Sequence, residues 1–227
     1  MCFEFDSLEN HLFPAPQGGI ATYREFVSLE DTSEWGKRIW GAWAKNYKDA
    51  MERANCVLRS SKHTFKLYEA FECYLGYTYQ RLNNYLRTSP DYDADLRYSA
   101  EFMHFLIYTA PRIPENIVVY RLVSDKFADE MMMNIEKGIC VRENAFISAS
   151  LLSTIVNSDE PYANHKNLLK IYVRADTAGI YASTIAERNE TELLFPLNKC
   201  LGLIKEPYQK TYYGKVKTVY ECNLIDY

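Results

Sequence analysis

The chain has 227 residues, 48% of them hydrophobic and 25% charged, with a formal net charge of −4. That length suits one large domain or two small ones, at roughly 100 to 200 residues each, with room for a sizeable core. The acidic balance argues against a general nucleic-acid binder, which would be basic, and leaves room only for a local basic pocket.

The N-terminus, Met-Cys-Phe-Glu-Phe-Asp, has no basic segment ahead of an apolar stretch and is not expected to be a signal peptide. Thr32 or Ser33 can cap a first helix, with Glu34 in its first turn and Trp35, Ile39 and Trp43 as its apolar stripe. The spacing of Phe65, Tyr68, Phe71, Leu75, Tyr79, Leu82 and Leu86 predicts a second helix from about Thr64 to Arg87, stopped by Thr88-Ser89-Pro90. A third runs from about Asp93 to Thr109, with Leu96, Met103, Leu106 and Ala110 on one side, and Pro111 and Pro114 end it.

Beyond Pro114 the period changes. Ile117 to Val123 is β-branched and reads as a strand, and Phe127 to Glu136 reads as one more helix carrying Met131 to Met133. Strands are expected at Ala145–Ser150, Asn167–Val173, Gly179–Ala182, Glu192–Phe195, Gly202–Lys205 and Val216–Leu224. Leu152 to His165 is polar and aperiodic, as a flexible loop would be. Helices first and strands afterwards predict an α+β fold, with the helical half packed on the sheet half.

The cysteines Cys2, Cys56, Cys73, Cys140, Cys200 and Cys222 form no C-x-x-C pair, and no histidine stands at zinc-ligand spacing from them. They are expected to be reduced, mostly buried thiols. His11, His63, His104 and His165 share no ligand spacing, so no metal is expected. No apolar run approaches the ~20 residues of a membrane span. Tyrosine contributes 19 residues, which serve cores, pockets and interfaces alike.

Three segments carry chemistry. Arg121 lies in an apolar strand, and a guanidinium presents a planar fork suited to phosphate oxygens. Phe146-Ile147-Ser148-Ala149-Ser150 alternates so that Ser148 and Ser150 share one face. In Asn189-Glu190-Thr191-Glu192-Leu193-Leu194-Phe195-Pro196 the two glutamates share a face, while Leu193 and Phe195 fall on Thr191's side and leave the glutamate face open. Carboxylates so close raise the cost of ionising both, and such a pair suits chemistry at a sugar bond. Taken singly, each segment also fits a plainer account: an arginine off a sheet edge, a half-exposed strand, a solvated strand entry.

Together, in this order, they resemble the mono-ADP-ribosyltransferases of the arginine–serine–glutamate class, similar to bacterial ADP-ribosylating toxins and effectors. The match rests on Tyr120-Arg121, on Phe146-Ile147-Ser148-Ala149-Ser150 and on Glu190-Thr191-Glu192. It departs at Ala149, where the family commonly has threonine. Tyr79-Gln80-Arg81-Leu82-Asn83-Asn84-Tyr85-Leu86-Arg87 looks like the family helix whose Asn and Arg hold NAD phosphates, and Ser33-Glu34-Trp35-Gly36-Lys37 looks like the first helix of the binary toxins.

The resemblance implies an ADP-ribosyltransferase-like fold: N-terminal helices on a mixed two-sheet β core around an NAD cleft. It implies a catalytic domain over residues 28–227 with an extension over 1–27. NAD would be the substrate. Arg121 would bind the pyrophosphate with Arg87 and Asn83. Ser148 would support the nicotinamide ribose and hold the catalytic glutamate, and Ser150 would line the same site. Glu192 would bond the ribose 2′-hydroxyl, and Glu190 would deprotonate the acceptor. A glutamate at the first position goes with arginine acceptors in relatives. Tyr181 to Asn189 would recognise the acceptor protein, and the loop after Ser150 would fold over nicotinamide, with Tyr162 a stacking candidate. Asn189-Glu190-Thr191 is formally a glycosylation sequon and is read as a chance match. The resemblance further suggests a soluble protein working in a reducing cytosol, delivered into a host cell as a toxin or effector, with actin one acceptor by analogy. Two other functions stay open: an NAD glycohydrolase without a protein acceptor, and a non-catalytic module of the same fold that binds a partner.

Overall fold

The computed structural model describes residues 11–60, 71, 73–88, 93–158, 161–186 and 191–226. The first helix, α1, spans Leu29–Ser60 and is capped by Ser28, whose Oγ accepts from the Asp31 amide at 3.1 Å. It therefore starts upstream of the expected caps. Thr32 is fully buried, and its hydroxyl donates to the Leu29 carbonyl at 2.8 Å. The buried stripe runs through Trp35, Trp40, Ala44 and Tyr47, with Ile39 and Trp43 only partly covered at its flank.

Much of the expected second helix, including Phe65, Tyr68, Ser89 and Pro90, lies outside the described residues. Its described part is a single π-helical turn, Tyr74–Thr78, leading into α2, Tyr79–Thr88. Helix α3, Ala94–Thr109, is capped by Asp93, whose carboxylate accepts from the Asp95 and Leu96 amides. After strand β1, Ile117–Val123, comes α4, Asp125–Ile135, capped by Ser124.

The remaining strands are β2 Val141–Glu143, β3 Ile147–Ser150, β4 Asn167–Val173, β5 Ile180–Tyr181, β6 Glu192–Phe195, β7 Lys199–Leu203, β8 Tyr208–Tyr212 and β9 Lys215–Asp226, with the short helix α5, Ser183–Ala186, between β5 and β6. The expected loop from Leu152 to His165 contains two 3-10 turns, Ser153–Asn157 and Pro161–Asn164.

Hydrogen bonds link the strands in the order β2-β7-β9-β4-β1-β3-β6-β5, with β8 on β9. The sheet is mixed, because β4 and β9 run parallel while the other pairs are antiparallel. Its two halves are joined thinly. Strands β1 and β4 pair from Ile117↔Val173 to Val123↔Asn167, whereas β1 and β3 register at Tyr120↔Ser150. The expected mixed β core with helices packed against it is present, and its strands are joined in one hydrogen-bonded sheet rather than two.

Alternation on β1 divides the interior. Ile117, Val119 and Val123 join the large core beneath the helices, and Arg121 occupies the same row. Val118, Tyr120 and Leu122 face a second cluster with Tyr23, Val156, Leu168, Tyr172, Tyr212 and Val219. Residues 11–27 lie against the sheet: Phe13 donates its amide to the Leu203 carbonyl, and Arg24 forms a parallel bridge with Ile117. Glu25 then accepts from the Tyr120 hydroxyl at 2.5 Å and from Lys170. Glu221 accepts from Tyr172 at 2.7 Å and from Tyr208 at 2.6 Å. No helix among the described residues is long and apolar enough to cross a membrane.

Two outcomes follow from this packing. A Cβ on Gly36 of α1 would lie 2.1 Å from the ring carbon Cδ1 of the buried Tyr181. Gly36→Ala should therefore lower stability by about 1–3 kcal/mol or more, measured by urea denaturation. Burial also raises the pKa of Tyr23, Tyr74, Tyr120, Tyr172, Tyr208 and Tyr220 above the ordinary 10.0, and pushes Tyr212 up to about 12. Below pH 10 these phenols are neutral in both states, so their contribution to stability is complete; above it the unfolded chain loses protons that the folded chain keeps, and stability falls. Lys199, pulled down to about 8 by burial, and Lys217, also lowered by burial, act the opposite way below their ordinary 10.5, but they are two groups against seven tyrosines. Unfolding above pH 10 should coincide with the rise of phenolate absorbance, and phenolate appearing well before the fold is lost would contradict this packing.

Candidate active site

Arg121 takes the helix-facing row of β1, and its Nη1 donates to the Ser148 main-chain carbonyl at 2.7 Å. The arginine strand and the serine strand are thereby tied at the position where the sequence places their motifs. On α2, Arg87 turns its fork onto Glu143: Nε donates to the two carboxylate oxygens at 3.0 and 3.2 Å, and Nη2 donates to Oε2 at 2.8 Å. Glu143 is only 5% exposed, and its Oε1 also accepts from the Ala145 amide at 3.0 Å. It comes from β2, where alternation exposes Arg142 and buries Val141 and Glu143.

These groups share one electrostatic environment. Burial lowers the pKa of Arg121; Glu143 opposes that shift, the neighbouring Arg87 adds to it, and Tyr74 and Glu192 also oppose it. An arginine keeps its charge through such a shift, so Arg121 and Arg87 remain two cations, answered by Glu143 and more weakly by Glu192.

Tyr74, buried in the π-helical turn, accepts from Asn83 Nδ2 at 3.0 Å, and its ring meets Phe146 edge-on at 5.3 Å. Burial raises the phenol's pKa, and Glu192 adds to the shift. A π-turn widens the helix by one residue and is a frequent device at functional sites. Asn83 and Arg87, four residues apart on α2, thus reach the cluster from one face.

The third motif arrives through register. Ser148 pairs with Leu194 and Ser150 with Glu192 across β3 and β6, which sets Ser148, Ser150, Leu194 and Glu192 on one face. Ser148 and Glu192 are partly exposed. Ser150 is buried, and its hydroxyl accepts from the Leu152 amide at 3.0 Å, lies 2.9 Å from the Leu152 carbonyl and meets Thr191 Oγ1 at 2.8 Å. It shapes the turn that leaves β3.

The glutamate face is less open than alternation predicts. Leu194, on Glu192's own face, is buried along with Leu193 and Phe195, because β6 lies between β3 and β5. Glu190 and Asn189 fall outside the described residues, as does the end of the expected recognition turn. The described start of that turn, Tyr181, is buried, and Ser183–Ala186 is helical. Tyr162 is 39% exposed on the second 3-10 turn, where its hydroxyl accepts from Ser158 Oγ at 3.4 Å.

Arg121, Arg87, Asn83, Ser148, Ser150 and Glu192 therefore belong to adjoining elements around one region. Sequence reasoning missed two members. Tyr74 lay inside the predicted second helix but was not assigned to its apolar stripe. Glu143 carried no signal, because Val-Arg-Glu is too short to show a period. Among the described residues, no group of three or more His, Cys, Asp or Glu is placed to hold a metal. A cavity of about 460 Å³, lined by Pro16, Tyr23, Arg174 and Asn223 among others, shares no residue with this cluster.

The sequence-family profile of the ADP-ribosyltransferase exoenzymes matches residues 32–204, and the chain belongs to that family of NAD-dependent mono-ADP-ribosyltransferases. No curated protein sequence matches the chain significantly. Among solved structures it is similar to the ADP-ribosylating toxin BECa of a Clostridium perfringens binary enterotoxin, solved with NADH, at TM-score 0.67 and 19% identity, covering 90% of this chain and 50% of BECa. It is similar to Plx2a, an ADP-ribosyltransferase toxin of Paenibacillus larvae, at TM-score 0.65 and 15% identity, covering 90% and 100% of the two chains. The C3 exoenzyme of Clostridium limosum matches at TM-score 0.61 and 16% identity, covering 90% and 98%. The chain thus spans about half of BECa and the whole of Plx2a, and at these identities the likeness is one of fold.

Ser150→Ala removes a hydroxyl that satisfies both main-chain groups of Leu152. It should cost about 1–3 kcal/mol of stability, read by urea denaturation at neutral pH.

Proposed function

We propose that the protein transfers ADP-ribose from NAD to an arginine side chain of a partner protein, releasing nicotinamide. The observation that carries the reading is the convergence of Arg121, Arg87, Ser148 and Glu192 from β1, α2, β3 and β6 onto one region, with Tyr74 and Asn83 alongside.

NAD fits the donor set. Two guanidinium groups suit a pyrophosphate, and partly exposed hydroxyl and carboxylate groups suit a ribose. Arg121 binds the pyrophosphate; Arg87, with Asn83 beside it, completes that subsite, and Ser148 supports the nicotinamide ribose and orients Glu192. The glycosidic carbon–nitrogen bond breaks with its electron pair leaving on nicotinamide, and the ribose carbon becomes cationic. Glu192 bonds the ribose 2′-hydroxyl and favours that cation. A guanidinium nitrogen of the acceptor attacks the carbon, and Glu190 takes the proton it sheds. Ser150 holds the turn beside this site, and Tyr162 is the candidate for stacking on nicotinamide, against the plainer account of an ordinary loop tyrosine.

The segment that recognises the acceptor protein is Tyr181 to Asn189, and the domain is residues 28–227 with an extension over 1–27. The described cysteines Cys73, Cys140, Cys200 and Cys222 are free thiols, which supports work in a reducing compartment after delivery into a host cell. Actin is the acceptor to test first, by analogy with the binary toxins.

The separating experiment uses the two glutamates, with NAD and a protein acceptor. Glu192→Gln should lose both nicotinamide release and protein labelling, by 100-fold or more, on the order expected for a lost charge-stabilising group. Glu190→Gln should keep nicotinamide release and lose labelling. Wild-type nicotinamide release by Glu192→Gln would overturn the assignment. Release without any labelled protein across several lysates would favour an NAD glycohydrolase, and absence of NAD binding by calorimetry would favour a partner-binding module.

A further inference from the structure

Arg87 and Arg121 repel each other, and Glu143, bonded to Arg87 and attracting Arg121, offsets that repulsion. Three facts define this carboxylate. It is nearly sealed from solvent, while Arg87 is 43% exposed. It is fixed by the Ala145 amide on its own loop and by two nitrogens along one edge of the Arg87 fork. Its cross-strand partner on β7, Lys199, is turned to Asp226, so the cations that Glu143 answers among the described residues are the two arginines.

We propose that Glu143 determines which phosphates the site accepts. Resting on the reading that Arg121 and Arg87 meet the NAD pyrophosphate, it sets the subsite's charge to favour a diphosphate diester over free terminal phosphates.

The argument is one of charge and aim. Two guanidinium groups against Glu143, with Glu192 acting more weakly on Arg121, leave at most a single net positive charge. A dinucleotide pyrophosphate carries one charge per phosphorus, because each phosphorus has one ester bond to a ribose and one anhydride bond to its neighbour. A nucleoside diphosphate or triphosphate ends in a phosphate with a further charge. Bringing that extra charge beside a buried, fixed carboxylate is unfavourable, because the carboxylate cannot turn into solvent to screen itself. Glu143 also occupies Nε and Nη2 of Arg87, which fixes the plane of the fork and leaves Nη1 for a ligand. The same residue thereby positions Arg87 for the diester and guards the site against the mononucleotides abundant in any cytosol.

The test is Glu143→Gln in the full chain, which keeps the side chain's shape and removes its charge. NAD consumption is measured without divalent cations, with ADP and ATP as competitors. ADP and ATP should bind ~10-fold tighter, as expected for one lost like charge at a partly screened site, while the KM for NAD rises ~3-fold with kcat little changed. Glu143→Asp, which keeps the charge but loses reach, should raise the KM for NAD without tightening ADP. A purely structural role predicts that all three nucleotides weaken together in Glu143→Gln; that result, or no change in ADP and ATP, overturns the proposal, as does tightening of ADP in Glu143→Asp. Arg87→Ala separates this from the reading beneath it. An unchanged KM for NAD there removes Arg87 from the substrate, and the proposal falls with it. A raised KM there, with ADP affinity unaltered in Glu143→Gln, overturns the role of Glu143 alone.

Discussion

A carboxylate shut away from water, bonded to one guanidinium group and attracting a second, is the constraint on which the rest of this structure depends. Left unpaired, Glu143 would cost several kcal/mol to bury, and each arginine would lose its nearest counter-charge. The cost is met only if three distant segments arrive together. Helix α2 must present Arg87, β2 must present Glu143 on its inner row, and β1 must hold Arg121 among apolar neighbours. An ion cluster of this kind is weak evidence for stability. Its value lies in register, since a one-residue slip of β2 would expose Glu143 and bury Arg142.

The second constraint is the narrow seam of the sheet. Because β1 and β3 register at Tyr120↔Ser150, the backbone ladder alone does little to hold the halves in place. The bond from Arg121 Nη1 to the Ser148 carbonyl crosses the same seam, so a functional side chain also acts as a strut. Past the seam, the loop after β3 is held from below. Lys215 donates to the Val156 carbonyl, and Lys217 donates to the carbonyls of Ala163 and His165. Those carbonyls lie at or just past the ends of the two 3-10 turns, where a cation satisfies otherwise orphaned acceptors. A segment that sequence reads as a free loop is thus anchored at both turns.

Legibility in the sequence followed how far each feature repeats. Strands Ile117–Val123, Asn167–Val173 and Glu192–Phe195 were readable to the residue, because their apolar runs have sharp polar or turn boundaries. The start of α1 was misplaced because three candidate caps crowd together, and Ser28 captures the Asp31 amide before Thr32 or Ser33 can act. Strands β2 and β8 were invisible: Val-Arg-Glu is too short, and Tyr-Gln-Lys-Thr-Tyr has exposed polar residues through its middle. Of the site, the residues within recognisable motifs could be named in advance. Glu143 could not, since its meaning comes from its partner 56 positions away. Tyr74 was hidden for another reason: three residues past Phe71 it stands at ordinary stripe spacing, which shows packing and not its hydrogen bond with Asn83.

The tyrosine excess also finds its explanation on the face away from the helices. Tyr23, Tyr120, Tyr172, Tyr208 and Tyr212 pack there, and Glu25 and Glu221 each accept two side-chain donors from that face. Phenols bury area while keeping a donor for a carboxylate, which lets one sheet face be packed yet ionic. That division bears on how the fold persists at 15–19% identity to the toxins it resembles. The outer face can change composition freely so long as its donors and acceptors balance. The inner face cannot, because there the charges are few, desolvated and shared among strands from three parts of the chain. Divergence should therefore accumulate on the tyrosine side and around the helices, while the row through Arg121 keeps its order of charges.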